Sequence, residues 1–202
     1  MSFTAFLVDD DAGVLKALSR LLRAAGYDTR TYSSPSDFLA EHDPSIPGCA
    51  VLDLTMPGLD GLELQEKLAA QASGRPIIFL SGKADVPSSV QAMKAGAVDF
   101  LVKPVEREVL LAAVARASEQ DAKLRRERAD RQAVERKLAS LTPREREVLQ
   151  HVAAGKLNKQ IAAVLGTVEK TVKVHRGRMM EKLGVRSVAE LVRLTERARL
   201  DT

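Results

Sequence analysis

The chain predicts an α/β unit built on a five-stranded parallel sheet, followed by an all-α unit of four short helices. Three observations carry this expectation. Over the first 116 residues, short apolar runs alternate five times with segments of helical period. Most of those runs close on an acid, Ser or Lys beside Pro or Gly, the pattern of a sheet whose ligand chemistry sits at its carboxyl edge. From Leu141 onward, helical period is punctuated by Gly155, Gly166 and Gly184 and no strand-like run occurs.

Taken in order, Phe3–Asp9 reads as the first strand, and a helical pattern over about 12–25 follows it. Asp11 suits the start of that helix, where negative charge is favoured. Thr29–Tyr32 reads as the second strand and 35–41 as the second helix. Cys49–Asp53 is apolar enough to be buried on both faces. The turn formers Pro57, Gly58 and Gly61 follow it, with a helix near 60–71. Pro76–Ser81 and Asp99–Val102 complete the sheet around a helix near 86–95, and a fifth helix starts at Val105. Gly26, Gly74 and Gly96 fall where helix C-caps are expected.

Parallel order places Asp9 and Asp10, Asp53, Ser81 and Lys103 at four strand ends on one rim, suited to a divalent cation and a phosphoryl group. Magnesium accepts few protein carboxylates and keeps its waters. Without a countercharge, adjacent carboxylates repel by roughly 4 kcal/mol at about 4 Å and an effective dielectric near 20. Asp53 would be the nucleophile, forming an acyl phosphate, with Lys103 pairing its oxygens and Ser81 donating a hydroxyl. Singly, each residue has a plain explanation: a run of Asp is a solvated strand end, and one Lys-Pro or one Ser signifies nothing. Their order at successive strand ends is what carries the reading.

The 202 residues include one cysteine, so no internal disulfide forms and a reducing, cytoplasmic setting is expected. No apolar run approaches a membrane span and no signal peptide is expected. Charge is uneven: residues 1–120 carry 11 basic and 16 acidic groups, residues 121–138 carry 7 and 4, and residues 139–202 carry 13 and 7. All seven aromatics lie in the first 100 residues. A basic, helical, aromatic-free tail favours duplex phosphates over unpaired bases. Between the units, 118–139 loses its apolar face. A helix from Val105 to Leu138 would run roughly 50 Å at about 1.5 Å per residue. A heptad seam drawn through Val114, Ala117, Leu124 and Leu138 also contains Asp121, Arg128 and Arg131, leaving a coiled coil and a solvated helix both open.

With these residues in place, 3 to about 120 resemble the receiver domain of two-component response regulators. Val8-Asp9-Asp10, Leu52–Gly61, Ser81-Gly82, Met93–Phe100 and Lys103-Pro104 carry the match. The resemblance implies a flavodoxin-like sheet and Mg²⁺ held by Asp10, Asp53 and the Thr55 backbone carbonyl, with Asp9 in support. It implies phosphorylation of Asp53 by a sensor histidine kinase, a cis Lys103–Pro104 bond, and a switch pair in Ser81 and Phe100. Phe100 is otherwise an ordinary core aromatic. Thr55 and Lys83 each lie two residues past a site residue, and Lys83 is expected to slow phosphoryl hydrolysis.

Leu141 to about Leu194 resembles the helix-turn-helix of the NarL/FixJ (LuxR-type) effector domain, through Gly155–Ala162, Thr171–His175, Gly166 and Glu181–Ser187. Thr142-Pro143-Arg144-Glu145 and Ser187-Val188-Ala189-Glu190 read as capping boxes. On the third helix of this unit, Val172, Met179 and Leu183 fall at core spacing, and Lys170, Lys173, Val174, Gly177 and Arg178 share the other face. By resemblance Lys173, Val174 and His175 approach bases or adjacent phosphates, while Lys159, Thr171 and Arg176 contact the backbone. Two departures stand out. Thr167-Val168 reverses the usual apolar–Ser/Thr order before the recognition helix, and Gly177 sits mid-helix at a cost of up to roughly 1 kcal/mol.

The expected whole is a receiver (1–120), a helical linker (121–138) and a LuxR-type helix-turn-helix domain (139–202) in a phosphorylation-activated, DNA-binding regulator. Double-stranded DNA, a second copy of the chain after phosphorylation, and RNA polymerase are the expected partners. A tail that binds a sigma factor or polymerase instead of DNA is the second reading. A phosphatase using Asp53 is the third, and it lacks the second acid of an Asp-x-Asp motif, since Thr55 stands there.

Overall fold

The computed structural model describes residues 3–71, 74–82 and 86–199, which divide into two compact units, Met1–Arg125 and Arg126–Thr202. In the first unit, strands β1 (Thr4–Val8), β2 (Asp28–Tyr32), β3 (Gly48–Asp53), β4 (Ile77–Ser81) and β5 (Asp99–Val102) form one parallel sheet in the order β2-β1-β3-β4-β5. This is the flavodoxin-like order. Helices α1 (Ala12–Ala24), α2 (Pro35–Glu41), α3 (Gly61–Ala70) and α4 (Val86–Lys94) connect the strands, and α5 (Arg107–Ala139) follows β5.

The two faces follow from the period-2 alternation of strand side chains. Ala5, Leu7, Val51, Ile78 and Leu80 pack with Leu15, Leu18 and Leu22 of α1 and Leu110, Ala113 and Val114 of α5. Phe6, Val8, Leu52 and Phe79 pack on the other face with Phe38 of α2, Leu64 and Leu68 of α3 and Ala92 of α4. The three interior strands, β1, β3 and β4, are therefore buried on both sides, as their apolar runs require. Gly26 and Gly96 adopt φ near +90° just beyond α1 and α4, as expected of C-cap glycines. Gly74 also has positive φ but lies beyond the Gln71 cap of α3, so it does not close that helix.

The first unit ends at Arg125, five residues beyond the boundary expected at 120. Asp121 is buried and accepts the Gly48 N–H and Arg125 Nε, at 3.3 and 2.8 Å. Arg125 in turn donates to the carbonyls of Ser45, Pro44 and Ile46, at 2.8, 3.0 and 2.6 Å. One turn of the expected linker thus fastens the loop before β3. The apparent heptad through Val114, Ala117 and Asp121 is the stripe of α5 that faces the sheet.

The second unit contains the end of α5 and helices α6 (Pro143–Ala153), α7 (Asn158–Val164), α8 (Glu169–Leu183) and α9 (Val188–Arg199). Val148, Val152, Ile161, Val172, Met179, Leu183 and Leu191 form its core, with Leu138 packed against it. Thr142 and Glu145 exchange both capping-box bonds, at 3.3 and 2.9 Å. Glu190 departs from the second expected box. Its N–H bonds Ser187 Oγ, but its carboxylate takes the N–H of Arg186, one residue before the expected partner.

Candidate functional site

The strand register builds the first site. Val8 pairs with Leu52, so the next residues, Asp9 and Asp53, stand level on adjacent strands, roughly 5 Å apart at the backbone. Asp53 pairs with Leu80 and Ser81 with Val102, bringing Ser81 and Lys103 to the same rim. Lys103 Nζ lies 2.6 Å from both Asp9 Oδ2 and Asp53 Oδ1. The two carboxylates are 2 % and 5 % exposed, so the ammonium offsets a repulsion that water screens poorly. Burial opposes charge on Lys103, but the hydrogen bonds and charges of Asp53 and Asp9 outweigh it and raise its pKa above the ordinary 10.5.

The remaining carboxylate oxygens are also held. Asp9 Oδ1 accepts the Asp11 N–H at 2.9 Å, and Asp53 Oδ2 accepts the Thr55 N–H at 3.0 Å. Asp11 caps α1 through the N–H groups of Gly13 and Val14, as expected. Ser81 is buried with its carbonyl accepting the Lys103 N–H at 2.7 Å, and the Lys103–Pro104 bond is cis. Phe100 is half-buried, its ring 6.3 Å from that of Phe79. Lys83 lies outside the described residues.

Asp10, Asp9 and Asp53 do not close on one point. Asp10 is exposed, and no cluster of three His, Cys, Asp or Glu side chains positioned for a metal occurs among the described residues. What the structure brings together is Asp9, Asp53 and Lys103. Asp9 and Asp53 supply buried carboxylate oxygens, the hard donors that suit Mg²⁺, and here those oxygens accept bonds from Lys103 and the Asp11 and Thr55 N–H groups. Sequence reasoning also missed Gly61. A Cβ there would sit 2.5 Å from the Asp53 carbonyl and 2.9 Å from Phe79, so only glycine lets α3 begin against the Asp53 turn. The Pro57–Gly61 turn signal located this residue without showing what it approaches.

The second site is the exposed face of α8. Lys170, Lys173, Val174, Gly177 and Arg178 are exposed on it, opposite the buried Val172, Met179 and Leu183. Thr171 and His175 flank that face half-buried, and Lys159 is exposed on α7. Arg176 differs: it is half-buried and donates from Nη1 to Asn158 Oδ1 of α7 at 2.9 Å. Val168 is the N-cap of α8 and supplies no side-chain bond, as the Thr167-Val168 order foretold. The other end is well held. Gly184 takes the left-handed cap, Lys137 Nζ meets the Leu183 carbonyl at 2.9 Å, and Lys182 reaches Glu145 at 2.7 Å. The Lys182 bond, then the capping bonds to Thr142, hold Glu145 below its ordinary pKa of 4.5.

An acid pair bonded to one lysine at the carboxyl rim of a flavodoxin-like sheet, followed by a basic helical unit, defines a two-module protein of receiver and helix-turn-helix type. Comparison with known proteins agrees. Residues 5–115 match the response regulator receiver domain, and residues 139–195 match the bacterial regulatory proteins of the luxR family. The response regulator protein TodT of Pseudomonas putida is 45 % identical over 95 % of this chain and 85 % of its own. Nodulation protein W of Bradyrhizobium diazoefficiens is 42 % identical over 95 % and 84 %. The solved structure of the response regulator StyR superposes with a TM-score of 0.87 at 47 % identity, covering 98 % of this chain and all of that one. The chain belongs to the FixJ/LuxR family of two-component response regulators, transcriptional regulators that pair a receiver with a DNA-binding domain.

Proposed function

We propose that Asp53 accepts the phosphoryl group from a sensor histidine kinase, and that the change of charge there controls DNA binding by α8. The observation that carries this is the shared ammonium: Lys103 bonds Asp9 and Asp53 at once, 2.6 Å from each. A phosphoryl group on Asp53 replaces one carboxylate charge by about two negative charges and adds acceptor oxygens. Lys103 then has a stronger partner than Asp9, and its movement pulls on the end of β5, next to Phe100 and opposite Ser81. Mg²⁺ held by Asp9, Asp53 and the Thr55 carbonyl, with the exposed Asp10 turned in to join them, would neutralise charge during the transfer.

The exposed apolar residues Val86, Val90 and Met93 recur at i, i+4 and i+7 on α4, beside exposed Val102 of β5 and Val109 of α5. This face suits a second copy of the chain, and a dimer would present two α8 helices to half-sites about one DNA turn apart. Lys170, Lys173, Val174, His175 and Arg178 would enter the major groove while Thr171 and Lys159 meet phosphates. Contact with RNA polymerase and work in the cytoplasm complete the reading; no helix among the described residues is long and apolar enough to cross a membrane.

Footprinting on genomic fragments, with and without a small acyl-phosphate donor, tests it. Protection should appear or strengthen with donor in wild type and stay at the basal level in Asp53→Asn. Equal donor response in both proteins would overturn the assignment of Asp53.

A further inference from the structure

Arg176 resembles a DNA contact by charge, but its place on α8 says otherwise. At 100° per residue, and taking Val172 as zero, Met179 and Leu183 fall at about −20° and +20°. Arg176 falls at about +40°, at the edge of that buried arc and well away from the face centred between Lys170, Lys173 and Val174 at about 100–200°. Its side chain is half-buried and its Nη1 donates to Asn158 Oδ1 at 2.9 Å. Asn158 is the first residue of α7 and is itself half-buried. The bond therefore ties the start of one helix of the helix-turn-helix to the middle of the other.

The turn between these helices does little to fix their angle. Gly166 takes positive φ, Thr167 N–H bonds Ala162 O, and the α8 N-cap, Val168, supplies no side-chain hydrogen bond. Ile161, Ala162 and Val172 pack the helices together by apolar contact, which has no direction of its own. A charge-assisted hydrogen bond does have direction. We propose that Arg176 is a positioning residue: through Asn158 it sets the angle at which α8 is presented to the major groove, so that sequence discrimination depends on a pair that touches no base. The proposal rests on the DNA-binding reading of α8 and refines it.

Phosphate contact and positioning leave different marks on salt dependence. A cation bound to a phosphate contributes about 0.9 to the slope of log K against log salt, and a cation bonded to a neutral amide and off the phosphates contributes far less. The full chain would be titrated, across a salt series, against a duplex that wild type selects from a random pool and against an unselected random duplex. Asn158→Ala and Arg176→Met should each weaken binding to the selected duplex about tenfold, the loss of one charge-assisted bond. Both should keep the wild-type salt slope and near-wild-type binding to the random duplex. The double variant should bind no worse than either single one, because both changes remove the same bond. Arg176→Lys, which keeps a donor, should recover most of the affinity.

Lys173→Met serves as the reference for a groove-facing cation and should lower the slope by about one. If it does while wild type discriminates between the two duplexes, the DNA-binding reading stands independently of Arg176. A slope lowered by about one in Arg176→Met, or an Asn158→Ala protein that binds the selected duplex like wild type, would overturn the positioning role. Asn158→Ala removes no charge and decides the matter alone should the Arg176→Met protein fail to fold.

Discussion

Replacing Lys103 by Met isolates the electrostatics of the Asp9–Asp53–Lys103 cluster. Methionine keeps an apolar stem of similar length and removes the charge that Asp9 and Asp53 share. Breaking a wholly buried ion pair from one side costs about 3–5 kcal/mol. Here Lys103 retains 23 % side-chain exposure and the rim opens to water, so a loss of about 2–4 kcal/mol is expected. The direct repulsion between the two carboxylates left without their ammonium, roughly 4 kcal/mol at about 4 Å and an effective dielectric near 20, gives the same scale. For a unit of this size that is a large share of a total stability of about 5–15 kcal/mol.

The aromatic distribution supplies a clean assay. All seven aromatics lie in the first unit and the chain has no Trp, so tyrosine fluorescence follows the unfolding of the receiver alone in urea. The Lys103→Met midpoint should fall at pH 7 with an unchanged m-value. The deficit should shrink with millimolar Mg²⁺, which supplies the missing positive charge. A cation that binds only the folded state adds about 2.7 kcal/mol at a hundredfold excess over Kd. A Lys103→Met receiver as stable as wild type at pH 7, or a deficit indifferent to Mg²⁺, would refute the reasoning. Because the folded-state pKa of Lys103 is raised, its contribution is complete below about pH 10 and fades as pH climbs through the raised value.

Two further outcomes concern the second unit. Val168→Ser should place a capping hydroxyl at the start of α8, stabilise the unit by about 0.5–1 kcal/mol and slow amide exchange at Thr171 and Val172; unchanged exchange would show that the missing cap leaves no looseness to remove. Glu145 carries a lowered pKa, so its stabilising bonds are complete above about pH 4.5 and lost as pH falls through the lower folded value. Glu145→Gln should therefore lower the far-ultraviolet melting temperature of the helical unit at pH 7 and converge with wild type once pH falls below that lowered value, a convergence that circular dichroism reads directly.

Much of this architecture was legible because period and punctuation agreed. Alternating apolar runs gave the five strands to within a residue or two of their observed limits, and the order of Asp9, Asp53, Ser81 and Lys103 anticipated a shared rim. Local pattern could not show which acid turns inward. Asp9 and Asp10 are neighbours on an extended chain, so one faces Lys103 and the other does not. Nor could it show Asp121 and Arg125 as part of the first unit, because their partners, Gly48 and the Pro44–Ile46 carbonyls, lie more than seventy positions away. Arg176 illustrates the same limit: charge suggested a phosphate, while its angle on α8 and the Asn158 bond give it a different neighbour.

The asymmetry of α8 gives these details a common consequence. Its carboxyl end is held by Gly184, by Lys137 on the Leu183 carbonyl and by the Lys182–Glu145 pair; its middle is held by Arg176 on Asn158. Its amino end, which carries Lys170, Thr171, Lys173 and Val174, starts at an uncapped Val168, and Gly177 adds a further helix cost of up to roughly 1 kcal/mol in its interior. The part proposed to meet DNA is therefore the part that folding fixes least. Ordering it falls to the binding step, where it subtracts from affinity on every duplex alike, and only a sequence offering good contacts to Lys173 and Val174 recovers the loss. A loosely started helix on a firmly held base thus lowers affinity for all duplexes by one factor, leaving their ratio unchanged, so that only a sequence with good contacts still binds at low protein concentration.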